Sequence, residues 1–172
     1  MSQPNRRKLR FRTLDDLVRD IEQFRGTEPD SSGKWSAAQN IDHVAALIDA
    51  SVDGFDFKVP AVIRLMVRLM RNRFLTKGLN PGIKMPDSAP DAFKPSPDTR
   101  FADAVDHLQR AVERAKQQGM TAVSPVFGKL THDQWEQLHC RHAELHFSFI
   151  QPDGKARPHV QAGNGQHAAA TA

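Results

Sequence analysis

The chain has 172 residues, 39% hydrophobic and 26% charged, with a formal net charge of +4. That length and composition suffice for one domain with a real core, and the single Cys140 excludes both an internal disulfide framework and a Cys-rich zinc module. The most hydrophobic stretch, Pro60 to Phe74, is interrupted by Arg64, Arg68, Arg71 and Arg73, so no uncharged apolar run is long enough to cross a bilayer.

Residues 1–12 form a basic arm. Its Arg6-Arg7 pair is not followed by the apolar stretch of an export signal, which predicts a cytoplasmic protein. Thr13 with Asp16 reads as a capping box opening a short amphipathic helix to about Phe24, with Leu14, Leu17, Val18, Ile21 and Phe24 at helical spacing. After a loop from Gly26 to Gly33, Ser36 with Gln39 opens a second helix to about Phe55. On it Gln39, His43, Ala46, Leu47 and Ala50 share a face, so small side chains surround an inward-pointing His43.

Pro60 to Arg73 reads as an additional basic amphipathic helix with Val62, Leu65, Met66, Leu69 and Met70 on its apolar face, expected to pack against the bundle edge. Thr76 to Asp98 is rich in Pro and Gly and predicts a long connection, a candidate lid. Thr99 to Gln118 is again helical, with Phe101, Val105, Leu108, Val112 and Ala115 on one side, His107 on the opposite, solvated side, and Gly119 as its stop. Thr131 with Gln134 opens the last helix, from about His132 to Phe149. The bundle domain is thus predicted over residues 13–150. Residues 151–172 lack periodic apolar side chains and predict a disordered tail, which discounts His159 and His167.

The last helix carries an anomaly. Trp135, His139, His142, His146 and Phe149 fall in one stripe at about 100° per residue, and that stripe should face the core. Several buried imidazoles need a compensating interaction, and a divalent metal supplies one. Cys140 lies off the stripe, and Glu144, almost opposite, is expected to be a solvated surface carboxylate. Trp35, Trp135, Phe147 and Phe149 read as core packing rather than as a substrate cage.

Four principal helices, the basic helix and the long connection predict an all-α bundle. The segment Lys34-Trp35-Ser36-Ala37-Ala38-Gln39-Asn40-Ile41-Asp42-His43, together with His142-x3-His146, resembles the metal-site signature of the DinB-like four-helix-bundle superfamily. Phe127-Gly128-Lys129-Leu130-Thr131-His132-Asp133-Gln134-Trp135 and the His-rich helix after it resemble the bacterial branch called domain of unknown function 1569, over roughly Phe11 to Ile150. The resemblance implies a divalent cation held by His43, His142 and His146. The spacing agrees: histidines at i and i+4 lie one turn apart, within reach of one ion at about 2.0–2.1 Å, and three ligands leave it open to other groups. His139, one turn earlier, is a fourth ligand, a partner orienting a ligand, or a substrate contact, the last two being favoured; Gln39 is a candidate for the same supporting roles.

Ala143 stands where an HExxH peptidase places its glutamate, which argues against peptidase chemistry. Related DinB-like families include S-transferases using low-molecular-weight thiols. The resemblance therefore implies a metal-dependent thiol S-transferase or thiol-dependent isomerase acting on a small molecule, with zinc or nickel as the ion and an anionic thiol as a candidate substrate. The alternative is a non-catalytic, metal-stabilised binding protein whose basic surface meets an anionic partner. No nucleic-acid-binding motif is present, so nucleic acid is not an expected partner. A homodimer through the Met-rich basic helix is a further expectation.

Overall fold

The structure is a computed structural model describing residues 5–27, 29–80 and 93–152. Among these residues it is mostly helical. The helices are α1 (Leu14–Glu22), α2 (Ala37–Asp53), α3 (Ala61–Leu69), α4 (Arg71–Lys77), α5 (Phe101–Gln118) and α6 (His132–Phe147). The predicted tail beyond residue 152, with His159 and His167, and residues 81–92 of the long connection lie outside the described residues.

The capping signatures mark the true helix starts. Ser36 Oγ accepts from Gln39 N–H at 3.2 Å while Gln39 Oε1 accepts from Ser36 N–H at 2.9 Å. Thr131 and Gln134 repeat the exchange at 3.2 and 3.1 Å, and the Asp16 carboxylate accepts from the N–H groups of Arg12 and Thr13 at 2.8 and 3.2 Å. Apart from the one from Arg12, which precedes the cap, each bond occupies a backbone donor that the first helical turn leaves unpaired. Gly119, at φ 81°, closes α5 in a conformation that side chains with a Cβ rarely adopt.

Helices α1, α2, α5 and α6 pack around one core, with α2 against both α5 and α6. Leu14, Leu17 and Ile21 meet Ile41, Val44 and Ile48, Val105, Leu108 and Val112, and Trp135, Leu138 and Phe147 there. Among the described residues there are also two very short antiparallel pairings: β1 (Asp30–Ser31) with β4 (Ile150–Gln151), and β2 (Val123–Ser124) with β3 (Gly128–Lys129). Pairs of two residues are too short to leave an alternation in sequence. The basic arm lies against α6, where Arg7 N–H donates to Ser148 O at 2.8 Å and Arg7 pairs with Asp20 at 2.6 Å.

Three expectations need correction. The stretch from Pro60 to Arg73 is two helices, broken at Met70 (φ −95°, ψ 5°), and the face expected to pack on the bundle is exposed, with Leu69 at 80% and Val62 at 71%. His107 is half-buried, its Nδ1 bonded to Asp42 Oδ1 at 2.7 Å and its Nε2 to Asp49 Oδ2 at 3.0 Å. Glu144, expected to be solvated, accepts from Phe11 N–H at 2.7 Å and pairs with Arg141 at 2.7 Å; Arg141 in turn donates to Phe11 O. The Arg141–Glu144 pair, with Arg141 buried and Glu144 half-buried, thus clamps the arm, a role that helical periodicity could not assign.

Candidate metal centre

Helix α2 contributes His43, and α6 contributes His142 and His146 from successive turns. One potential ligand atom from each ring lies within 4.8 Å of the others. Ring centroids are 5.0 Å apart for His43 and His142, 4.7 Å for His43 and His146, and 4.5 Å for His142 and His146. Nitrogens sharing an ion at about 2.0–2.1 Å sit somewhat closer together than this span, so binding would draw the rings inward.

The hydrogen bonds select the free nitrogens. His43 Nδ1 lies 2.8 Å from Phe93 O; a carbonyl only accepts, so Nδ1 carries the proton and Nε2 keeps its lone pair. His146 Nδ1 lies 3.1 Å from Asn40 Oδ1. Asn40 is buried, and its Nδ2 donates to Trp35 O at 3.2 Å and Ser36 O at 2.9 Å, which fixes its oxygen toward the ring. His146 therefore donates through Nδ1 and also presents an unprotonated Nε2. Partners of this kind set the tautomer and orientation of ligating histidines. His142 Nδ1 is buried without a hydrogen-bond partner among the described residues.

The site is short of protons. Burial pushes His43 below its ordinary value, against the pull of the Phe93 carbonyl and Asp42. Burial pushes His142 well down, aided by His146, His43 and His139, and takes His146 to about 3 with a further contribution from His43. Three neutral imidazoles with two oriented lone pairs and an orphaned buried nitrogen fit a divalent cation of borderline softness.

His139 belongs to another environment. It is fully buried, stacks on Trp135 with centroids 5.3 Å apart, is pushed down to about 3 by burial, and has no hydrogen-bond partner at either ring nitrogen among the described residues. It is outside the three-histidine group. Gln39 spends its Oε1 on the α2 cap, and its Nε2 lies 3.4 Å from Pro95 O. Cys140 is buried, and burial pushes its thiol up to about 12, far from thiolate chemistry at neutral pH.

Sequence reasoning missed Asn40, Trp35 and the Phe93 carbonyl as parts of the site. Trp35 stacks on His146 at 5.6 Å and meets His43 edge-on at 5.0 Å, so it walls the centre. Asn40 had a signal, since an amide on the buried side of a helix needs partners; a backbone carbonyl has none. Beside the histidines lies a cavity of about 160 Å³ whose wall includes His142, Phe55, Phe57, Phe127, Trp135 and Leu138. Among the described residues no Lys, Arg, Asp or Glu lines it.

No match was found among the curated proteins or among the solved structures. A family model described as "Protein of unknown function (DUF1569)" matches residues 3–153, a span that takes in both helices of the histidine cluster and the arm clamped by Glu144. The chain is a member of the DUF1569 family.

Proposed function

We propose that the protein is a divalent-metal-dependent enzyme of the DinB-like kind, with His43, His142 and His146 holding zinc or nickel in a four-helix bundle made by α1, α2, α5 and α6. The observation that carries this reading is the pair of hydrogen bonds from His43 to Phe93 O and from His146 to Asn40, which leave unprotonated nitrogens in a cluster spanning 4.8 Å. A divalent ion held there supplies Lewis acidity, which activates a water or thiol near neutral pH.

The chain supplies orientation and selectivity. Asn40 and Phe93 O hold two rings in one tautomer, and Trp35 shields them from solvent. The cavity beside His142 suits an uncharged apolar or aromatic group, since engineered apolar cavities of about 150 Å³ accept benzene. A substrate with such a group next to its electrophilic centre fits thiol transfer or thiol-dependent isomerisation. Among the described residues the cavity wall offers no cation to an anionic thiol.

The test is metal content by plasma mass spectrometry of untagged protein, of His43→Ala and of His142→Ala, with folding checked by circular dichroism. The expected result is near one equivalent in the parent and loss in both variants. Turnover of small aromatic electrophiles by metal-loaded protein with a low-molecular-weight thiol then tests the reaction. Metal content unchanged in both folded variants would overturn the ligand assignment.

A further inference from the structure

The face of α3 is the reverse of what a packed helix presents. On a helical projection Leu65, Leu69, Val62 and Met66 occupy an arc of about 100°, with Arg64 and Arg68 opposite. The apolar arc faces solvent, with exposures of 62% for Leu65, 80% for Leu69, 71% for Val62 and 59% for Met66. Val67 is the half-buried position of the helix, and Arg68 lies near Gly128 of β3. The helix is therefore held with its oily side out.

The charge around it has one sign. From Phe57 to Asn80 there are six cations, Lys58, Arg64, Arg68, Arg71, Arg73 and Lys77, and no carboxylate. The ion pairs among the described residues engage other cations, leaving these six without one. A second copy of the chain is a poor occupant, because joining two copies through α3 would crowd the cations at its ends, Lys58, Arg71 and Arg73, of both chains with no carboxylate from either segment to offset them. An anionic bilayer surface satisfies both halves of the pattern: apolar side chains enter the acyl boundary while guanidinium groups meet lipid phosphates.

We propose that α3 and α4 form an interfacial anchor that lays this protein on anionic membrane surfaces. The anchor stands beside the apolar cavity, since Phe74 of α4 meets the cavity-lining Phe127 edge-on at 5.9 Å. This inference is independent of the metal site.

The test is flotation of the full chain with vesicles of phosphatidylcholine alone or mixed with phosphatidylglycerol, at low and high salt. Two double variants, Leu65→Gln with Leu69→Gln and Arg64→Gln with Arg73→Gln, accompany the parent; all replaced side chains are exposed, so both should melt like it. Binding is expected only to the anionic vesicles, weakened by salt, and reduced about tenfold or more in each variant. Equal binding to both vesicle types, no binding to either, or binding indifferent to the variants would overturn the anchor. So would sedimentation velocity showing a dimer of the parent that the leucine variant dissolves, since a second copy would then cover the face.

Discussion

Asn40 is the residue that orients His146. Its two donor bonds to Trp35 O and Ser36 O fix which end of the amide meets His146, so a tautomer on α6 is decided at the start of α2. Replacing Asn40 by Ala leaves His146 in place but free to carry its proton on either nitrogen. Titration against a competing chelator should show a loss of metal affinity of about 10–100-fold, the range for losing such an orienting partner. Affinity equal to the parent's would mean that the Asn40 bond does not prepare the ligand.

Between elements, the edge of the α2–α5 contact is laced by charge. His107 and Arg114 on α5 meet Asp42, Asp49 and Asp53 on α2. Both nitrogens of His107 face carboxylate oxygens, which only accept, so the ring is held as imidazolium. Its bond to Asp49 raises its value above the ordinary 6.5, against burial and with help from Asp42. Burial pushes Asp49 up, but His107 and Arg114 outweigh it and leave the carboxyl below its ordinary value. The sign follows from linkage: a raised folded value contributes stability that is complete below the unfolded histidine value and fades as pH climbs through the folded one. His107→Gln should cost about 1–2 kcal/mol near pH 6 and less at pH 9, read by urea unfolding across that range. A cost that is flat with pH would show that the imidazolium charge contributes nothing. The contribution falls away on the acid side only once the carboxylates protonate.

For the molecule as a whole, an ion at the centre would tie α2 to α6 and, through His43 and Phe93 O, to the end of the long connection. Loading the site at a hundred times its dissociation constant would add about 2.7 kcal/mol, or roughly 5–10 °C in melting temperature for a domain of this size. Chelation should remove that increment from the parent and leave His43→Ala unmoved; a parent indifferent to chelator would break the link between ion and fold. How much of this could be read in advance divides along the range of the interactions. The capping boxes at Ser36 and Thr131, the glycine that ends α5 and the histidine stripe of α6 depend on neighbours within one or two turns, and sequence by itself determined them because helical period and capping act at that range. It also determined that Ala143 denies the site a peptidase glutamate. The tertiary structure alone decided what His107, Glu144 and His146 touch, for the Asn40–His146 bond joins residues 106 apart in sequence. It alone decided that the apolar side of α3 faces water, because amphipathic spacing fixes that a helix has an oily face but not whether the rest of the chain comes round to cover it.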